Sequence, residues 1–438
     1  MTGRFFIKTM GCQMNEYDSD LIAQQLYANG WKRAEDMEKA DLVIINTCTV
    51  REKPEHKAYS LIGRLSSLKK RKQDMIIAVV GCLVQQRKEE IIERFPEVDM
   101  LIGPREVIMF LDYLKNLKRK EEKIVATCLD IPLKYTSFVK GYFRGKVTGY
   151  VSIMQGCNNF CSYCIVPYVR GREVSRPFDE IIKEAEFLVS EGIRDITLLG
   201  QNVNSYRWKD KDFPDLLREV AKTKGLWRLR FTTSHPKDLS DKLISCFGEL
   251  EKLCSHIHLP FQAGSNRVLR LMNRNYQREK YLEIVNKLRE VRPDIAITSD
   301  VMVGFPGETH EDFEQTIDLI KRVEFDNLYS FKYSDRPGTA AEKMEPKVDD
   351  QEKSKRLTQL QTIQKEITLK KNRALIGSEV EVLVEGMSKK KDQLTGRTST
   401  NKVVNFHGNI NMIGHLIKVK IEDAFANSLM GQYIENVR

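Results

Sequence analysis

No stretch of this 438-residue chain is apolar for long enough to span a membrane, and Met1 to Lys8 lacks the charged-then-apolar layout of a signal peptide. The expected location is therefore the cytoplasm. That compartment keeps thiols reduced, so the nine cysteines are not expected to form disulfides and point instead to metal or redox chemistry. Acid is the scarcer charge: 61 Asp and Glu stand against 71 Lys and Arg, a formal excess of +10. The excess suits a polyanionic partner, although many basic cytosolic proteins bind none. With 41% apolar and 30% charged residues the chain has ample core-forming material. Its length exceeds one ordinary core, and two to three domains are expected.

The class is α/β, in three segments joined by one linker. From Met1 to Leu129, apolar runs at Phe5 to Thr9, Leu42 to Asn46 and Ile76 to Val80 read as buried parallel strands, each followed by an amphipathic pattern such as Ser19 to Ala28. Asp130 to Lys146 is a less regular linker of basic and aromatic residues. From Val147 to Arg373 the strand-then-helix pattern repeats about six times. Its expected strands are Gly149 to Met154, Asp195 to Leu199, Arg228 to Thr232, His256 to Pro260, Ala296 to Val303 and Asn327 to Tyr333. Six such strands fit either an open doubly wound sheet or an incomplete barrel. Asp350 to Arg373 closes this segment as a long lysine-rich helix. From Ala374 to Arg438, short strands at Glu379 to Val384, Gln393 to Thr398, Val403 to Phe406 and His415 to Glu422 suggest a compact β-barrel of the kind that binds RNA. Lys389, Lys390 and Lys391 fall in a turn between strands, where a lysine run is usually only solvated.

Cys157, Cys161 and Cys164 form a C-x3-C-x2-C triad directly after a strand. Thiolate sulfur selects zinc or iron-sulfur clusters. A structural zinc site needs a fourth ligand that no nearby Cys or His supplies, whereas three ligands on a 4Fe-4S cube leave one iron open. Cys12, Cys48 and Cys82 each stand just past the C-terminal end of an expected strand. In a parallel sheet those ends share one edge, so a second three-thiolate cluster can assemble there, although a lone cysteine at a strand end is often plain packing. Cys128, Cys246 and Cys254 have no ligand spacing and read as structural. His256 and His258 alternate on a strand and read as satisfied, half-buried histidines.

The triad, with Tyr163 before its last cysteine, resembles the signature of the radical S-adenosylmethionine superfamily. Its known members imply a partial (β/α)6 barrel and an open iron that binds the methionine moiety, whose reductive cleavage gives a 5'-deoxyadenosyl radical. The whole chain resembles the methylthiotransferase family. Lys8-Thr9-Met10-Gly11-Cys12-Gln13-Met14-Asn15 and Asn46-Thr47-Cys48-Thr49-Val50-Arg51-Glu52-Lys53 are similar to that family's cluster-binding domain. Pro167-Tyr168-Val169-Arg170-Gly171-Arg172-Glu173-Val174-Ser175-Arg176-Pro177 follows the triad as it does there, and the tail resembles the family's TRAM domain, a small OB-like barrel. The motifs Gly200 to Asn204, Thr233 to Lys237 and Leu259 to Arg267, with the Arg51-Glu52-Lys53 wording, resemble the branch that acts on tRNA. Phe261-Gln262-Ala263 departs from the common pattern, with no functional consequence expected.

The resemblance implies two 4Fe-4S clusters, one on Cys157, Cys161 and Cys164 and an auxiliary one on Cys12, Cys48 and Cys82, together with S-adenosylmethionine. It places Gly200, Gln201 and Asn202 near the cofactor's amino group, Ser234, Gln262 and Asp300 at its ribose and carboxylate, Tyr163 in its site, and Gly304 to Glu308 against the adenine. The implied reaction inserts a methylthio group at carbon 2 of N6-isopentenyladenosine beside the tRNA anticodon, using two cofactor equivalents per turnover. Implied partners are the anticodon stem-loop, held partly by Lys389 to Lys391, and an electron donor such as a flavodoxin or ferredoxin; a monomer is expected. Three alternatives stand: an enzyme acting on N6-threonylcarbamoyladenosine in tRNA, one that modifies a protein, and a non-catalytic iron-sulfur RNA-binding protein.

Overall fold

The computed structural model describes residues 3–49, 52–120, 122–131, 138–389 and 392–438. Arg51, Lys390 and Lys391 lie outside them, and of the Arg51 to Lys53 run only the helical backbone of Glu52 and Lys53 is described. The chain forms two compact units.

The first unit takes in residues 1–142, with 154–158 and 164–176. Its parallel sheet has the order β2-β1-β3-β4-β5-β6, formed by β1 (Arg4–Met10), β2 (Lys32–Arg33), β3 (Leu42–Thr47), β4 (Ile76–Gly81), β5 (Met100–Ile102) and β6 (Ile124–Ala126). Every residue of β3 and β4 is buried, as a parallel strand covered on both faces requires. The helices α1 (Gln13–Ala28), α2 (Glu52–Lys69), α3 (Cys82–Arg94) and α4 (Phe110–Lys120) belong to this unit. One apolar cluster joins Ile22 and Leu26 of α1 to Phe110 and Leu114 of α4 across Ile44 and Val80. Another joins Ile62 and Leu65 of α2 to Val43 and Val79. β5 and β6, three residues each, were not expected from the sequence, because so short a run carries no periodicity.

The second unit takes in residues 143–153, 159–163 and 177–438. It contains six parallel barrel strands: β7 (Thr148–Ser152), β8 (Asp195–Leu199), β9 (Arg228–Phe231), β10 (His256–His258), β11 (Ala296–Val303) and β12 (Asn327–Lys332). β8 pairs with β7 and β9, β11 pairs with β10 and β12, and a parallel bridge from Leu229 to Leu253 links the two sets. The spatial order therefore follows the chain order. A doubly wound sheet reverses its order at a switch point, so the incomplete barrel is the architecture. Met154 pairs instead with Ser175 in the first unit, which ends β7 at Ser152 rather than at Met154.

The helix α5 (Asp350–Arg373) leads to a closed barrel of β13 (Glu379–Met387), β14 (Leu394–Arg397), β15 (Val403–Phe406), β16 (Leu416–Ala424) and β17 (Leu429–Asn436). Val382, Val404, Phe406, Ile417 and Val419 fill it. The sequence reading missed β17, whose pattern Gly431 interrupts. Two arginines of β9 fasten this small barrel to the strands beneath it. Arg230 bonds Asp195 at 2.8 Å and the Thr398 carbonyl at 2.8 Å, and Arg228 donates to the carbonyls of Arg397 and Glu381.

Candidate iron-sulfur and S-adenosylmethionine sites

Three adjacent strands of the first unit deliver three cysteines to one edge. Met10 lies opposite Thr47 and Thr47 opposite Gly81, so Cys12, Cys48 and Cys82 follow β1, β3 and β4 at the same level. The order of strands reverses between β1 and β3, where open α/β sheets place their ligands. Cys12 caps α1 and Cys82 begins α3, and a helix N-terminus favours a thiolate.

Asparagine side chains hold this edge. Asn15 Nδ2 donates to Asn46 Oδ1 at 2.8 Å, Asn46 Nδ2 donates to the Asn15 carbonyl at 2.8 Å, and Cys12 Sγ donates to Asn15 Oδ1 at 3.2 Å. Gly81 has φ +103°, and a Cβ there would lie 2.5 Å from the Thr47 carbonyl and 2.8 Å from Asn46 Oδ1. Only glycine lets the strand end approach this closely.

The charge at the edge comes from Arg170. Its Nη2 donates to Asp18 Oδ2 at 2.9 Å, with both side chains buried, while Nη1 has no hydrogen-bond partner among the described residues. Arg105 holds the Arg170 segment by donating to the carbonyls of Arg170 and Arg172 at 2.9 and 2.7 Å. A hydrogen bond from Cys48, assisted by the Arg170 charge and opposed by burial, brings the Cys12 thiol down to about 5. Burial pushes Cys82 up against the pull of Arg170 and lifts the Asp18 carboxyl to about 6.

The triad loop spans both units: Cys157 and Cys164 belong to the first and Cys161 to the second. Cys157 donates its backbone N–H to the Gly171 carbonyl at 3.3 Å. The turn before it requires glycine, since Gly156 has φ +82° and a Cβ would lie 2.1 Å from the Arg172 carbonyl. Cys161 is buried and receives Arg274 Nη1 at 3.6 Å. Tyr163 packs in the apolar cluster of Ala263, Met272 and Phe305.

The remaining expected cofactor residues stand at barrel strand ends of the second unit. Gly200, Gln201 and Asn202 follow β8, Ser234 follows β9, Gln262 follows β10 and Asp300 lies in β11. Val203 N donates to the Thr233 carbonyl at 3.0 Å, and Gln262 N donates to the Asp300 carbonyl at 3.0 Å. Gln262 has φ +66°, an uncommon conformation that such sites often hold. His258 lies 3.5 Å from Asp300 Oδ2, and Thr298 bonds His256 at 3.0 Å and His258 at 3.1 Å. Glu308 turns back on its own loop, accepting from Gly304 N and pairing with the buried Arg356 of α5.

The buried Asn202 Oδ1, Ser234 Oγ, His235 Nε2 and Arg274 Nε find no hydrogen-bond partner among the described residues. Buried polar atoms are normally satisfied, so these strand ends have the unmet hydrogen bonds that a polar cofactor would fill. Among the described residues no three Cys, His, Asp or Glu side chains close around one ion. A cube differs from a zinc ion in this respect, because its three thiolates bind three different irons and stand apart. The donor set of soft thiols beside buried guanidiniums fits an anionic cluster. Cys246 and Cys254 are buried with thiols pushed up to about 11 by that burial, the state of inert packing cysteines.

Sequence reasoning missed Asn15, Asn46, Asp18, Arg170, His235 and Arg274 as site residues. Asn15 and Arg170 lie inside quoted motifs, where charged or amide residues next to cysteines were the available signal. Asp18 acts through Arg170, 152 positions along the chain, and Arg274 lies 113 positions from Cys161.

Residues 4–103 match a model described as the uncharacterized protein family UPF0004, residues 151–320 the radical SAM superfamily and residues 373–434 the TRAM domain. A tRNA-2-methylthio-N(6)-dimethylallyladenosine synthase of Syntrophus aciditrophicus is 50% identical over 98% of this chain and 94% of its own. The enzyme of the same name from Geobacter metallireducens is 46% identical over 99% of both chains. The fold is similar to that of TsrM from Kitasatospora setae, a radical S-adenosylmethionine methyltransferase solved with cobalamin and a [4Fe-4S] cluster, at TM-score 0.58 and 15% identity over 78% of this chain and 74% of that one. With near-half identity sustained along its whole length, the chain belongs to the radical SAM methylthiotransferase family of the tRNA-2-methylthio-N(6)-dimethylallyladenosine synthases.

Proposed function

We infer that Cys157, Cys161 and Cys164 hold one 4Fe-4S cluster, that Cys12, Cys48 and Cys82 hold a second, and that both serve one reaction on tRNA. The chain is a radical SAM tRNA methylthiotransferase, with S-adenosylmethionine and 4Fe-4S clusters as cofactors and tRNA as substrate. It inserts a methylthio group at carbon 2 of N6-isopentenyladenosine next to the anticodon, giving the 2-methylthio base with two S-adenosylmethionine per turnover. The observation that carries the cluster assignment is the delivery of Cys12, Cys48 and Cys82 to one edge by three neighbouring strands.

Carbon 2 of adenine carries an unactivated hydrogen, which acid-base chemistry cannot replace. When bound, the triad's cluster supplies the electron that cleaves S-adenosylmethionine to a radical, and the second supplies the site from which sulfur is delivered. The protein's residues bind and orient. Gly200, Gln201 and Asn202 receive the amino group of S-adenosylmethionine, Ser234, Gln262 and Asp300 its ribose and carboxylate, and Tyr163 lines the site. Asn15 and Asn46 fix the strand ends that carry Cys12 and Cys48.

The division into residues 1–129, a linker 130–146, 147–373 and 374–438 belongs to this reading, with the last segment gripping tRNA phosphates. So do a cytoplasmic monomer and a flavodoxin or ferredoxin as electron donor. Among the described residues no helix is long and apolar enough to cross a membrane.

The test is nucleoside mass spectrometry of isopentenylated tRNA incubated anaerobically with reconstituted protein, S-adenosylmethionine and a reductant. The 2-methylthio derivative of isopentenyladenosine is expected. Methylthiolation of threonylcarbamoyladenosine instead would overturn the substrate.

A further inference from the structure

We propose that Arg274 is a positioning residue that raises the reduction potential of the iron-sulfur cluster bound through Cys161, by a charge-assisted hydrogen bond to that sulfur. The inference rests on the assignment of Cys157, Cys161 and Cys164 to one cluster. Arg274 Nη1 lies 3.6 Å from Cys161 Sγ, and Nη2 donates to the Pro260 carbonyl at 2.7 Å. The second bond fixes the planar fork, so the first keeps its aim. The Tyr276 ring lies 5.4 Å from the guanidinium carbon, and its hydroxyl is tied to the Phe261 carbonyl at 2.6 Å.

The backbone around Arg274 is stitched to the cysteine loop itself. Ser162 N donates to the Met272 carbonyl at 3.1 Å, Ser162 Oγ donates to the Leu271 carbonyl at 2.8 Å, and Asn273 Nδ2 donates to the Phe160 carbonyl at 3.1 Å. Asn273 and Asn275 adopt φ of +56° and +55° on either side of the arginine. Two departures from ordinary backbone, one on each side of a single residue, cost energy and persist where the surroundings impose them.

Arg274 is 4% exposed, the titratable groups that weigh most on it are Tyr163, Tyr276 and Cys161, and no carboxylate among the described residues forms an ion pair or hydrogen bond with it. A buried cation without an anion is costly. A thiolate-bound cluster is anionic, more so when reduced, and supplies the missing countercharge. Hydrogen bonds to cluster sulfur and net charge nearby both set a cluster's potential, and each favours the form that holds the extra electron. His235 adds no second charge, because burial and the Arg274 charge keep its imidazole neutral.

The experiment is an EPR-monitored redox titration of full-length reconstituted protein carrying Cys12→Ala, Cys48→Ala and Cys82→Ala, so that a single cluster titrates. With Arg274→Gln, the reduced-to-oxidised ratio at the parent midpoint is expected to fall about tenfold, which is 59 mV for a one-electron couple, at unchanged iron and sulfide content. Arg274→Lys keeps the charge but not the fork and should fall about threefold. A ratio within a factor of 1.5 or so of the parent in the variants that hold the cluster overturns the proposal. A parent protein that holds no iron at all overturns the cluster assignment beneath it, so the two failures are told apart before any Arg274 variant is made.

Discussion

Two buried guanidiniums stand beside cysteine sulfur in this protein, and they differ in what balances them. Arg170 is matched by Asp18 at 2.9 Å, so the pair adds little net charge to the edge where Cys12, Cys48 and Cys82 meet. Arg274 has no carboxylate partner among the described residues, only the Pro260 carbonyl and the Cys161 sulfur as hydrogen-bond acceptors, so its full charge is left for whatever Cys161 binds. The contrast separates two uses of one residue type. A matched arginine holds geometry, whereas an unmatched one acts on the electrons of its neighbour.

Removing thiolates tests the comparison most severely, because it asks whether the two regions do separable work. Cys161→Ala should lower 5'-deoxyadenosine formation at least a hundredfold, measured by liquid chromatography of anaerobic turnovers. Cys48→Ala should leave that cleavage in place while methylthio product disappears. If Cys48→Ala still makes the methylthio base, the edge of the first unit holds no sulfur-delivering group.

Stability of the metal-free protein sharpens the contrast next. Arg170→Met strands a buried carboxylate and should cost about 3 kcal/mol in urea unfolding at pH 7, within the range for breaking one side of a buried pair. Adding Asp18→Asn should restore most of it. Arg274→Met trades two hydrogen bonds for relief from burying a cation that has no carboxylate partner among the described residues, and should change stability by less than about 1 kcal/mol. Equal losses for the two arginines would erase the distinction.

The smallest effect concerns pH. Burial, with Arg274 and Lys237, holds the His235 pKa down at about 2 in the folded chain, against 6.5 for a free imidazole. The unfolded chain therefore takes up that proton first, and stability falls as pH drops below about 6.5. Between pH 7.5 and 5.5 the loss from this residue should be about 1.4 kcal/mol. His235→Gln should reduce the loss by that amount in parallel unfolding curves, and an identical pH dependence would place His235 in contact with solvent.

Much of this was legible before any coordinates. Ile76 to Val80 is so uniformly apolar that only a doubly covered strand suits it, and β4 is buried at every residue. Ala296 to Val303 and Asp350 to Arg373 coincide with their elements end to end, because each has the length and pattern of its class. The position of Cys12, Cys48 and Cys82 just after three strands was legible from the apolar runs before them, and those strands are neighbours. Asp18 and Arg274 were not legible, since a charged residue in a helical or loop pattern reads as solvated until the fold buries it. Periodicity was equally silent on barrel against open sheet, which depends on which strands become neighbours.

The sequence by itself determined the element types, the cysteine-bearing strand ends and the family, because local patterning and motif spacing are written in consecutive residues. The tertiary structure alone decided that Arg170 would meet Asp18 across 152 positions and Arg274 would meet Cys161 across 113. A buried charge is defined by what the rest of the chain brings to it, and no local stretch of sequence contains that information.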